Sequence, residues 1–431
     1  MLIMFRMKNF ASFKDEVVLD LRAVSYKDMK NHVIQLKNNK VVKTLAIYGK
    51  NASGKSNLIS ALYFFKSFIL NQFFEEIMRD EEVEKQERIP NIRRTPFQLN
   101  EKIDDESEFE IIFNYKNTTY QYGFALQDHE GESNYIIKSE WLLVDNKEVF
   151  EREENKLTYN KNFDKELNNI NKIRKDRLYI GALDYFATEN VKNIVDNIKE
   201  YLKYNFDVHF ELIIESSIKG VVSGMSYSKR LVEDEEFKKT IEKFLKVADV
   251  GISGLDIEPI EEEKTQGNRK YTIKALHDVY DDLGNVVRKE PFDMRLESSG
   301  TIRYFSFIQY ILNMMDNGGV FIVDEISARL HPILTKFIID LYQSGKNTNA
   351  QLIFTTHDLS LMNRKQFRRD EIAFVDKNRR GESSIYTLAD IKARSDATFS
   401  KDYLYGKYGA IPVIREEADD YGIGGEQIWE D

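Results

Sequence analysis

Cysteine is absent from the 431 residues, which excludes disulfides and every thiolate metal site and agrees with a reducing, cytoplasmic setting. An uninterrupted apolar leader is missing too. Arg6 and Lys8 break the first ten residues, so a cytoplasmic chain is expected rather than a secreted one. No stretch reaches the roughly 18 apolar residues that read as a membrane span. The most apolar one, residues 58–74, carries Lys66, Asn71 and Gln72; it reads as a buried helix, and no membrane partner is expected. Sustained heptads are lacking, which argues against a long coiled-coil arm, and no internal repeat is visible. Positive charge is in deficit, with 62 Lys and Arg against 72 Asp and Glu for a net charge of -10. The molecule as a whole therefore repels phosphate backbones. Two short basic runs, residues 172–177 and 364–369, read as solvated faces.

What is present, 42% hydrophobic and 31% charged residues, describes a globular chain long enough for a substantial core and two or three structural units. Residues 1–21 alternate around a turn at 11–14 and read as an edge hairpin. A short apolar strand at 44–48 leads through a glycine-containing loop into a helix with Leu58, Ala61, Leu62, Phe65 and Ile69 at helical spacing. Residues 109–151 read as antiparallel strands forming a β arm. Residues 161–250 read as helices, including 191–204 and 233–247. Polar turns at 264–268 and 281–285 flank a strand pair, 271–280 and 286–292. Apolar strands at 320–323, 351–354 and 372–375 then alternate with helical patterns, as a parallel α/β core should.

Four short segments carry chemistry. Residues 49–56 read GKNASGKS, the phosphate loop G-x-x-x-x-G-K-[ST], whose backbone N–H groups wrap phosphate oxygens at a helix N-terminus. Gly49, Lys50, Asn51, Ala52, Ser53, Gly54, Lys55, Ser56 and Asn57 are the expected nucleotide contacts, with Lys55 reaching the β- and γ-phosphates and Ser56 ligating Mg²⁺. VFIVDE at 320–325 delivers two acids from the end of a buried strand. Asp324 is expected to hold Mg²⁺ and Glu325 to orient the attacking water. LESSGT at 296–301 places Ser298, Ser299 and Gly300 at a second helix start, with free N–H groups for another phosphate surface. TTHD at 355–358 places His357 past a strand end, within reach of a γ-phosphate.

In that order and spacing the four segments resemble the ABC ATPase set, and the long separation of phosphate loop from signature, with the opening NFASFKDE, resembles the SMC/RecF branch. PFQLN (96–100), SSGTIRYF, DEISARLHP and YGAIP (408–412) look closer still to the restriction-linked and abortive-infection ATPases called RloA or AbiLi. The resemblance implies an α/β fold: an ABC-type P-loop ATPase core with an antiparallel β arm and an inserted helical region. The expected division is 1–160 for the first part of the core, 161–265 for the helical insertion and 266–431 for the rest. It implies ATP and Mg²⁺, with Gln98 sensing the metal and the γ-phosphate. It also implies a head-to-tail homodimer, or an assembly of dimers, in which Ser298 and Gly300 act on the partner's nucleotide while residues 327–331 cross between subunits. Glu297, Ser299 and Thr301 depart from the transporter-type signature.

The function implied is an ATP-hydrolysing regulator of anti-phage defence controlling a separate Toprim-type nuclease effector of the RloB kind. The stretch after His357 has no strand-borne carboxylate cluster that would supply such an effector. Two alternatives stay open: a RecF-like repair ATPase that clamps nucleic acid directly, and a non-catalytic scaffold that ATP merely locks. Nucleic acid or a phage component remains a partner to consider.

Overall fold

The computed structural model describes residues 1–26, 29–74, 94–102, 104–129, 135–163, 167, 173–209, 226–248, 250–259, 271–391 and 398–412. The expected turn at 264–268 and Lys172 of the first basic run lie outside them.

β1 (Leu2–Lys8) and β2 (Val17–Asp20) form the expected hairpin. It does not stand apart from the β arm. β6 (Glu106–Tyr115), β7 (Thr118–Asp128), β8 (Tyr135–Val144), β9 (Lys147–Glu153) and β10 (Lys156–Tyr159) join it in a seven-stranded antiparallel sheet of order β10-β9-β8-β7-β6-β1-β2. β3 (Val33–Gln35) and β4 (Lys40–Val42) make a small ribbon beside it.

The second sheet has the order β11-β15-β16-β5-β17-β18. Its strands are β5 (Thr44–Tyr48), β11 (Phe206–His209), β15 (Gly319–Val323), β16 (Ala350–Thr355), β17 (Ile372–Lys377) and β18 (Ser383–Thr387). Neighbours are parallel except for β17 with β18. Successive strand side chains point to opposite faces, and here both faces are covered. Leu45, Ile47, Val320 and Ile322 enter one hydrophobic cluster, whereas Ala46, Tyr48, Phe321 and Val323 enter another. That explains why these strands read as continuous apolar runs rather than alternating ones.

Between the two sheets lies the helix Lys55–Phe74. Its buried positions include Leu58, Ile59, Leu62, Tyr63, Phe65 and Ile69, more than one face of a helix, as expected of a helix packed on both sides. Phe65 stacks on Phe124 of β7 at 5.5 Å and Phe64 meets Phe109 of β6 at 5.1 Å. The helix therefore starts at a fixed place, and the phosphate loop before it is fixed as well.

The region expected as a helical insertion does carry helices, Tyr179–Phe186, Glu189–Glu200, Ser226–Glu233 and Glu235–Val247. It also returns to the core: β11 pairs with β15, His209 opposite Val323. The four residues FDVH alternate apolar and polar, but a run that short is a weak strand signal, and pairing with the edge of β15 completes it. β12 (Gly254–Pro259) then joins β13 (Tyr271–Tyr280) and β14 (Val286–Asp293) in a separate antiparallel sheet ahead of the helix Ser299–Asn317. Of the second basic run, Arg364 and Lys365 are exposed but Arg368 is buried, its guanidinium donating to Asp370 and to the Val24 carbonyl. The run is thus only in part a solvated face.

Candidate functional site

β5, β15 and β16 are parallel, so their C-terminal ends open on one edge of the sheet, where ligands bind in open α/β folds. β5 leads directly into the loop 49–56. Gly49 (φ 156°) and Gly54 (φ 116°) have backbone conformations that side chains rarely adopt. A Cβ on Gly49 would lie 2.3 Å from the Val375 carbonyl oxygen, and one on Gly54 would lie 2.6 and 2.8 Å from the Ser383 and Ser12 hydroxyls. Both glycines are required for the loop to close onto β17 and the first hairpin. The Ser53 amide donates to the Lys50 carbonyl at 3.1 Å. The buried Ser53 Oγ has no hydrogen-bond partner among the described residues, a need that a phosphate oxygen in the loop would meet.

Lys55 is only 6% exposed. Its Nζ donates to the carbonyls of Gly49 at 2.9 Å and Lys50 at 3.3 Å, and lies 3.0 Å from His357 Nε2. Burial pulls its pKa down, while Glu325 and Asp324 oppose the shift. The ammonium is held by weak carbonyl partners that a phosphate would outcompete.

The acids are set by one hydroxyl. Thr355 Oγ1, ending β16, donates to Asp324 Oδ1 at 2.6 Å and accepts the Glu325 amide at 2.8 Å. The Asp324 amide donates to the His209 carbonyl of β11 at 3.0 Å. Glu325 has a left-handed backbone (φ 50°), a sparsely populated conformation that its surroundings must hold. Its Oε1 is 3.4 Å from His357 Nε2. The pKa of His357 is lowered by burial first and by Lys55 second, with Asp324 opposing, so the ring is neutral at neutral pH. With Nε2 accepting from Lys55, its proton sits on Nδ1.

Lys55, Glu325 and His357 thus form one cluster at the mouth of the loop, with Asp324 beside them. Ser56, at the first turn of the loop's helix, is exposed. Mg²⁺ is commonly held by one or two carboxylates together with phosphate oxygens and water, and the Asp324 carboxylate and Ser56 hydroxyl are oxygen donors that suit such an ion.

Gln98 and the SSG turn make local contacts of their own. Gln98 is exposed and its Nε2 donates to the Pro96 carbonyl at 3.0 Å. Its loop is anchored by Phe97 N to Asn9 Oδ1 at 2.8 Å and Ala11 N to Thr95 O at 2.7 Å. That anchorage adjoins Ser12, whose hydroxyl accepts from Asn57 Nδ2 at 2.8 Å. In the SSG turn, Ser298 caps the helix Ser299–Asn317 through its Oγ and Thr301 N at 3.1 Å. A Cβ on Gly300 would lie 2.6 Å from the Arg329 carbonyl oxygen, so only glycine lets the loop after Glu325 pack on that helix.

Sequence reasoning missed the role of Thr355, although it lies within the TTHD segment, and missed the contact from the other end of the chain. The Lys50 amide donates to the Ala410 carbonyl at 2.9 Å, so the YGAIP segment helps to close the phosphate loop. A cavity of about 780 Å³ opens beside it, lined in part by Lys50, Asn51, His357, Lys401, Tyr405 and Ile411.

The chain is similar to several known proteins. An ATP/GTP phosphatase of Helicobacter pylori (strain ATCC 700392 / 26695) is 21% identical over 358 residues, 78% of this chain and 85% of that protein. Among solved structures, an SMC head bound to the C-winged helix domain of ScpA matches with a TM-score of 0.47 and 15% identity, over 90% of this chain and 97% of that one. The SMC head domain from Thermotoga maritima matches with a TM-score of 0.41 and 13% identity, over 90% and 98%. Residues 45–363 match the family described as "AAA domain, putative AbiEii toxin, Type IV TA system". That segment runs from β5 through both acids and His357, and the chain belongs to this AAA-domain family.

Proposed function

We propose that the chain hydrolyses ATP at two composite sites built by a head-to-tail homodimer, and that it is the regulatory ATPase of an anti-phage defence system acting through a separate Toprim-type nuclease. The observation that carries the hydrolytic reading is the convergence of Lys55, Glu325 and His357 at the phosphate loop, with Thr355 fixing both acids.

The loop amides and Lys55 hold the β- and γ-phosphates, and Glu325 orients and polarises water for in-line attack. When phosphate replaces His357 as the partner of Lys55, Nε2 is free to carry the ring proton and donate to the γ-phosphate. Mg²⁺, when bound, neutralises charge on the phosphate oxygens; Ser56 and Asp324 would hold it, and Gln98 would join them on leaving Pro96. Ser298, Ser299 and Gly300 would cap the partner's nucleotide, spreading transition-state charge over two helix starts. The composite arrangement rests on the ABC resemblance. It is supported by the exposed helix start and by the packing of Gly300 on the loop that follows Glu325.

The defence role rests on the family description and on the RloA/AbiLi resemblance. The test joins biochemistry to isolation from the host. Purified protein should release phosphate from ATP and Mg²⁺ and dimerise on ATP binding, and native copurification should recover a nuclease encoded nearby. A protein that stays monomeric and releases no phosphate contradicts the first reading. Strong, salt-sensitive duplex binding by the isolated protein, with no effector recovered, favours the DNA-clamping alternative.

A further inference from the structure

Arg303 has no part in the four motifs. It lies on the first turns of the helix Ser299–Asn317 and is only 3% exposed. Its Nη2 donates to the carbonyl of Glu325 at 2.6 Å and reaches that of Asp324 at 3.4 Å. The guanidinium also rests over the Phe307 ring, 4.8 Å from its centroid.

These contacts fall where the acid loop most needs support. Glu325 is in the left-handed region, and its amide is already committed to Thr355 Oγ1. Its carbonyl accepts from Arg303 Nη2 at 2.6 Å and from the Ala328 amide at 3.1 Å. Both ends of the residue are therefore fixed, leaving only the side chain to choose a direction. Three residues earlier on the same helix, about one turn, Gly300 packs on the Arg329 carbonyl of the same loop. One helix turn thus grips the acid loop at two points.

We infer that Arg303 is a positioning residue for the Glu325 carboxylate, and that the helix carrying it ties the signature turn to the acid of its own subunit. The inference rests on the proposed role of Glu325. In the composite dimer the start of this helix meets the partner's nucleotide while Arg303 sets the acid facing the subunit's own. A shift of the helix on closure moves the Glu325 backbone with it, so occupancy of one site is felt at the other. A donor at this position, rather than a packing group, is what the carbonyls require. Without Arg303 the Glu325 carbonyl keeps the Ala328 amide but loses the stronger, charged hydrogen bond.

The experiment compares Arg303→Met, which keeps much of the length and apolar contact, with Arg303→Lys, which restores one donor. ATP affinity, ATP-dependent dimerisation and kcat are measured in both, with Glu325→Gln as the reference. Displacement of a catalytic group by about 1 Å costs on the order of a hundredfold. Arg303→Met is therefore expected to lose roughly ten- to a hundredfold in kcat while keeping ATP affinity and the dimer, and Arg303→Lys to recover part of that loss. A folded, dimerising Arg303→Met with kcat within about twofold of the unsubstituted protein overturns the inference. So does loss of the folded state in both variants, which assigns Arg303 to the fold. If Glu325→Gln itself leaves turnover unchanged, the proposed role of Glu325 fails instead, and the two failures are told apart.

Discussion

Lys55 and Ser298 each lie at the start of a helix preceded by a short loop, and their surroundings differ sharply. Lys55 is buried, its ammonium has three partners, and the loop around it is pinned by Ala410 from the far end of the chain and by the Ser12–Ser383 contact. Around Ser298 the surface is open. Leu296 is 75% exposed, and Val286 and Val287 of the preceding β14 are exposed as well. Groups proposed to grip the nucleotide within one subunit are over-determined by that subunit. Groups expected to act on a neighbour are presented to solvent on a capped helix start, and their energetic role comes with association.

The largest expected effect is at the braced end. Lys55→Ala removes the ammonium held by the Gly49 and Lys50 carbonyls and should lower turnover on the order of a thousandfold, with ATP affinity falling as well in an equilibrium binding assay. Glu325→Gln should cost on the order of a hundredfold or more in turnover yet keep ATP binding, accumulating an ATP-bound dimer visible by light scattering. Unchanged hydrolysis there removes the water-orienting assignment. Thr355→Val deprives Asp324 of its donor and the Glu325 amide of its acceptor. It should destabilise the fold by about 1–3 kcal/mol, read by denaturant unfolding, and lower turnover beyond what that loss explains.

The smallest effect is in pH. The folded protein lowers the pKa of His357 from its ordinary 6.5, by burial first and Lys55 second. In the free protein the neutral ring therefore persists as pH falls through 6.5, and the acid limb of kcat/KM due to this group should lie below that value. A limb centred at or above 6.5 that disappears in His357→Gln contradicts the neutral-histidine reading.

Legibility in the sequence follows the same divide. The core strands at 44–48, 320–323, 351–354 and 372–375 were readable because both of their faces are buried, so local composition alone marks them. The phosphate loop was readable because its glycines answer a local steric demand. β11 was not, since four alternating residues are too short a signal by themselves and gain their weight from pairing with β15. Nor was the partnership of Arg303 with Glu325, because the sequence does not state which carbonyl a helical arginine will meet. The contact of Lys50 with Ala410 spans nearly the whole chain, and no local pattern encodes it. In the candidate site, residue types were legible and their mutual support was not.

The central claim is that each nucleotide is held by two copies of the chain, and mixing two inactive variants tests it most directly. Ser298→Arg subunits keep an intact phosphate loop, and Lys55→Ala subunits keep an intact signature turn, so every mixed dimer holds one complete site. Random pairing of equal amounts should restore up to about a quarter of the unsubstituted turnover, from two preparations that are each inactive alone. A verified mixed dimer with no turnover would contradict completion of the site by a second copy.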